Sequence, residues 1–124
     1  MPRVVHFEIS ANDPERMVAF YQNVFAWEIT HWPGPQDYWL ITTGDRETPG
    51  INGGMFRPTE TFNGTVNTID VPNLDESVEK VKANGGQLVV EKQTIPGVGC
   101  QVYCKDVEGT LFGLHQADPK AGQT

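Results

Sequence analysis

The chain of 124 residues is poor in cysteine, poor in basic charge and without a long apolar run, and each shortage excludes something. Its two cysteines, Cys100 and Cys104, lack the C-x-x-C spacing of redox and zinc sites. On one strand they would share a face but stand about 13 Å apart, too far to bridge. Two free thiols fit a reducing compartment, so the cytoplasm is the expected location. Lys and Arg number 9 against 16 Asp and Glu, a net charge of −7 that repels a phosphate backbone and argues against nucleic acid as a partner. No apolar stretch approaches the ~18 residues that span a bilayer, so no membrane partner is expected. Met1-Pro2-Arg3 leads straight into Val4-Val5-His6-Phe7, without the apolar region of a targeting segment. There is no G-x-S-x-G nucleophile motif, and Asn52-Gly53-Gly54 lacks the spacing of a phosphate loop.

What the chain does have is 13 glycines and 9 prolines among 38% apolar residues, a composition for many short elements around one packed core. Val4–Ile9 alternates as a strand, with Val4, His6 and Glu8 on one face and Val5, Phe7 and Ile9 on the other. Asp13-Pro14 reads as an N-cap and first helical residue, and Met17, Phe20, Tyr21 and Val24 follow as an amphipathic stripe, so a helix is predicted over 14–25. Strands are predicted at 27–32, 38–43 and 51–57. The second half repeats the order: a strand at 65–71, a helix capped by Asn73 and closed by Gly85-Gly86, then strands at 87–92, 99–105 and 111–116. An offset of 60 residues lays Asp13-Pro14-Glu15-Arg16 on Asn73-Leu74-Asp75-Glu76 and Ile51-Asn52-Gly53 on Leu111-Phe112-Gly113. The reading is an α+β fold of one domain over 1–117, with βαβββ modules at about 3–60 and 63–117 and a polar, flexible tail at 118–124.

The run Val5-His6-Phe7-Glu8-Ile9, Asp13-Pro14-Glu15-Arg16, Ala19-Phe20-Tyr21 and Val24-Phe25-Ala26-Trp27 resembles the opening of the vicinal-oxygen-chelate superfamily, which includes glyoxalase I, bleomycin-resistance proteins and extradiol dioxygenases. Asp106-Val107-Glu108-Gly109-Thr110-Leu111-Phe112-Gly113-Leu114 resembles its ending, with Val107 and Thr110 in place of the usual proline and asparagine. The resemblance implies two βαβββ modules forming a cupped mixed sheet. It also implies, for metal-dependent members, a first-strand histidine in each module and a last-strand carboxylate. The histidine position matches His6, but its counterpart is Val66, and the carboxylate positions fall on Gly53 and Gly113. One imidazole does not hold a divalent ion. The expectation is therefore a branch without metal or other cofactor that binds a small organic molecule in the cup. The alternatives are a divalent-metal-dependent lyase or dioxygenase, in which His6, Glu8 and His115 could form a rearranged site, and a protein that sequesters a drug.

Trp27, Trp32, Tyr38, Trp39 and Phe56 supply aromatic surface in the first half, and Gly53, Gly54 and Gly113 vacate space where ligands to a metal would stand. The residues expected to contact a ligand are His6, Glu8, Trp39, Gly53, Met55, Thr68, Asp70, Gly113 and His115, with His6 and Glu8 the candidates for any proton transfer. A homodimer is the expected assembly.

Overall fold

The alternating first strand and its repeat are realised as two modules in the computed structural model, which describes residues 1–122. In chain order the elements are β1 (Arg3–Ser10), α1 (Pro14–Phe25), β2 (Glu28–His31), β3 (Tyr38–Thr42) and β4 (Asn52–Phe56), then β5 (Thr65–Asp70), α2 (Leu74–Ala83), β6 (Gln87–Ile95), β7 (Gly99–Lys105) and β8 (Leu111–Ala117). This is an α+β fold of two βαβββ modules. The described chain divides into two compact units, His6–Val66 and Met1–Val5 with the described residues from Asn67.

In the first module the strand order is β2-β3-β4-β1. β1 runs parallel to β4, and β3 pairs antiparallel with both β2 and β4. α1 begins where Asp13 accepts a hydrogen bond from the Arg16 N–H, 3.3 Å away, and Pro14 needs no such partner. It ends at Ala26 in the left-handed region, φ 59°. The core lies between helix and sheet: Ala11, Ile29, Ile41 and Met55 are buried, with Phe7, Ile9, Met17, Val18, Tyr21, Trp27 and Trp39 packed around them. Of the predicted helix stripe, Met17 and Tyr21 face this core, whereas Phe20 and Val24 are exposed. On the buried side Tyr21 stacks on Trp27, centroids 4.9 Å apart and 3° from parallel.

In the second module the order is β5-β8-β7-β6, with β5 parallel to β8 and the rest antiparallel. Asn73 caps α2 by accepting from the Glu76 N–H at 3.0 Å, and Gly85 (φ 92°) and Gly86 return hydrogen bonds to the carbonyls of Lys82 and Val81. Leu74, Val78, Val102, Cys104 and Leu114 form the core, and Cys100 packs against it. Strand β6 runs three residues beyond its predicted end, because Gln93, Thr94 and Ile95 pair with Gln101, Cys100 and Gly99 after a register shift. The tail is not wholly loose: Asp118 N–H donates to the Val98 carbonyl, Gly97 N–H donates to the Ala121 carbonyl, and Ala121 is buried. Its last residues, Gln123 and Thr124, lie outside the described residues. Among the described residues no helix is long and apolar enough to cross a membrane.

Candidate functional site

Strand alternation gives the first module two unlike faces. Phe7 and Ile9 turn toward α1 and the core. His6 and Glu8 turn the other way, opposite Asn52 and Gly54 in the parallel register. Tyr38 joins them from β3: its hydroxyl lies 3.1 Å from His6 Nε2. The neighbour across β3–β4 from Gly54 is Leu40, but the Tyr38 ring slants over the glycine, so a Cβ there would collide with the Tyr38 hydroxyl. The missing side chain of Gly54 thus makes room for a phenol bonded to an imidazole. Glu8, directly opposite Gly54, is only 7% exposed although it is a carboxylate on the face away from the helix. The imidazole and the phenol can each donate or accept, so the pair can present either character to a bound group.

Three residues expected here face elsewhere. Trp39 pairs with Met55, and both pack into the core beneath α1, Met55 at 0% exposure. Gly53 shares that face, where an added Cβ would stand 2.7 Å from the Phe7 ring and press on the Phe7 carbonyl oxygen. The reason is parity. Strand β4 reads Asn-Gly-Gly-Met-Phe, which offers no alternation to place its glycines, and the uniform offset of 60 residues fails by one position in the last strand. Glu8 aligns with Gly54 and Thr68 with Gly113, so the β4-to-β8 offset is 59, and a slip of one residue reverses the face.

In the second module Gly113 stands beside Thr68, where an added Cβ would come 2.6 Å from Thr68 Oγ1. Tyr103 is opposite Gly113 on β7, and both Tyr103 and Thr68 are buried. Two residues on, Asp70 and His115 are register partners, with Asp70 Oδ1 3.6 Å from His115 Nδ1. His115 Nε2 is buried without a hydrogen-bond partner among the described residues. These four expected residues do share one face of their own module, opposite Ile69, Leu114 and the helix.

The residues do not fit a divalent-ion site. Val66 has no lone pair and is buried, Gly54 and Gly113 have no side chains, and the His6 nitrogen already meets the Tyr38 hydroxyl. Among the described residues no group of three His, Cys, Asp or Glu side chains converges as a metal site requires. A shallow pocket of about 330 Å³ lies elsewhere, at the start of α1, lined by Ser10, Asn12, Asp13, Arg16, Met17 and Phe20. Of its polar lining, Ser10 is engaged with Asn63 and Gly64 and Asp13 caps the helix, so the β1 face is the better candidate. Tyr38 and Gly54, read from the sequence only as aromatic surface and vacated space, are absent from the expected contact residues and are what the structure adds to them. The signal was present in β3, where Trp39 and Ile41 claim the core parity and leave Tyr38 to the other face.

Comparison with known proteins agrees with this architecture. A protein provisionally called glyoxylase CFP32 from Mycobacterium bovis is 28% identical over 121 residues, 91% of this chain but 43% of its own length. The chain therefore spans less than half of that relative. The fosfomycin resistance protein FosX of Listeria monocytogenes is 25% identical over 114 residues, covering 89% of this chain and 86% of the relative. The crystal structure of methylmalonyl-CoA epimerase from Mycobacterium tuberculosis superposes with a TM-score of 0.69 at 15% identity, over 94% of this chain and 88% of that one, a likeness of fold alone. The sequence profile of one family matches residues 3–114, nearly the whole chain, and by that match the protein belongs to the Glyoxalase/Bleomycin resistance protein/Dioxygenase superfamily.

Proposed function

We propose that this protein binds a small organic molecule on the face that carries His6, Glu8 and Tyr38, and that it does so without a metal ion. The observation that supports this best is the His6–Tyr38 contact laid over Gly54: two ambivalent hydrogen-bonding groups fill the place where a chelating side chain would stand. Glu8 adds a buried carboxylate two residues from His6 on the same strand face. Leu40, exposed on that face, offers apolar surface for a ligand's carbon skeleton. The chain acts in the cytoplasm as a homodimer in this reading, which light scattering at micromolar concentration checks.

The test is a titration panel on chelator-treated protein. It includes fosfomycin and methylmalonyl-CoA, which the names of the relatives suggest, and matched cationic and anionic compounds. Binding by at least one member that weakens about 5- to 100-fold in His6→Ala supports the reading, since stranding a buried polar partner costs about 1–3 kcal/mol. Turnover lost with affinity retained would instead make His6 a proton-transfer group. Binding that appears only with added divalent metal would favour the metal-dependent lyase or dioxygenase reading.

A further inference from the structure

The loop that delivers Tyr38 is pinned from its far side. Asp37, the residue before Tyr38, places Oδ1 2.8 Å from His31 Nε2 on β2 and Oδ2 2.6 Å from Arg57 Nε just beyond β4. The Arg57 guanidinium lies 5.6 Å from the centre of the Trp39 ring, and His31 meets the same ring edge-on at 4.8 Å. These groups lie with Trp39 on the side of the sheet that faces α1. The backbone closes the same loop, with Trp32 N–H donating to the Tyr38 carbonyl at 2.7 Å.

Adjacent residues at the start of a strand project to opposite faces. Asp37 therefore grips β2 and the end of β4 on one side while Tyr38 reaches His6 on the other. The ring of Tyr38 must slant diagonally across Gly54 to make that contact, so its aim depends on where the first residue of β3 is held. We infer that Asp37 is a positioning residue for the candidate site: by bridging His31 and Arg57 it sets the placement of Tyr38 against His6. The inference rests on the proposed reading for its functional meaning, but its geometry can be tested without a ligand. The rival is ordinary: the Asp37 side chain is 47% exposed, and exposed ion pairs often contribute nothing measurable.

The experiment follows the His6 ring nitrogens by NMR in the full chain, at a pH where the ring is neutral. Tyr38→Phe removes the partner hydroxyl and defines the signal of an unbonded His6 Nε2. Asp37→Ala and Arg57→Gln are expected to move His6 most of the way toward that signal, and Asp37→Asn, which keeps an acceptor for His31, only part of the way. Glu79→Ala breaks a comparably exposed pair, Glu79 with Lys82 at 3.8 Å in the other module, and is expected to leave His6 unmoved. If Asp37→Ala does not fold, Arg57→Gln carries the same test. A folded Asp37→Ala or Arg57→Gln protein whose His6 signal matches wild type overturns the inference. For any panel compound that wild type binds, Asp37→Ala is expected to lower affinity about fivefold, the loss of one hydrogen bond's worth of placement. If the NMR shift appears but no compound binds wild type, the ligand-binding reading fails and the positioning role stands.

Discussion

Adding one methyl group to each of two neighbouring glycines separates the faces of β4. At Gly53 an added Cβ presses on the Phe7 carbonyl oxygen and stands 2.7 Å from the Phe7 ring. That oxygen belongs to the parallel β1–β4 ladder and cannot move alone, so relief requires the strands to part. Overpacking of this kind costs about 1–3 kcal/mol, and with a backbone atom as the obstacle the upper end is expected. For a chain of this size that is a fall in melting temperature of roughly 8–12 °C. At Gly54 the obstacle is the hydroxyl end of Tyr38, which can swing away. Gly54→Ala then forfeits the His6–Tyr38 bond, about 1 kcal/mol, and recovers about 0.4–1 kcal/mol from the less flexible unfolded chain. Its melting point is expected within a few degrees of wild type, yet its His6 ring signal should match that of Tyr38→Phe. Gly53→Ala, measured below its transition, should keep the wild-type His6 signal. Melting curves and histidine spectra of the two variants are the assay. If Gly54→Ala proves the more destabilised, or if Gly53→Ala is the one that releases His6, the assignment of faces is refuted.

Further expectations concern other parts of the molecule. Hydrogen bonds from His31, and then from Arg57, hold the Asp37 carboxyl below the usual carboxylate range. Its stabilisation is therefore complete above the ordinary aspartate value of about 3.9 and is lost as pH falls through the lowered folded value. The stability difference between wild type and Asp37→Asn, followed by urea titration, should vanish below that value and not between pH 5 and 8. Burial pushes the Cys104 thiol up, with Lys82 opposing weakly, and Cys104 has no exposed surface. Iodoacetamide in native buffer should modify Cys100 first and leave Cys104 until the protein unfolds, as peptide mass spectrometry will record. Leu74, buried at the head of α2, should cost about 2–5 kcal/mol when cut to Ala and lower the urea midpoint accordingly. Elemental analysis after expression in metal-supplemented medium should find no stoichiometric zinc, nickel, manganese or iron, and one retained ion per chain would contradict the fit of the site residues.

Periodicity made most of this fold readable. α1 occupies the interval its cap and proline mark, Asn73 and Gly85 bound α2 by the same chemistry, and β7 spans the predicted residues. Short-range signals suffice there because caps and turns are decided by neighbours within four residues. The candidate site was half readable for a related reason. The β1 run alternates with bulky apolar residues on one side, so the shared face of His6 and Glu8 follows from the sequence. Strand β4 has two adjacent glycines and no such contrast, and its face is fixed by register with β1, a long-range fact. That ambiguity put Gly53 where Gly54 stands and drew Met55 and Trp39 into the site. The reach of Tyr38 to His6 spans 32 residues and depends on the empty space over Gly54, which no local pattern records.

The central claim is that the face of His6, Glu8 and Tyr38 binds an organic molecule without a metal ion. Isothermal titration of chelator-treated wild type, His6→Ala and Tyr38→Phe with the compound panel tests it most directly. The expected result is saturable binding of at least one compound by the metal-free wild type, weakened about 5- to 100-fold in His6→Ala and about fivefold in Tyr38→Phe. Binding that requires a divalent ion, or that is equal in all three folded proteins, contradicts it.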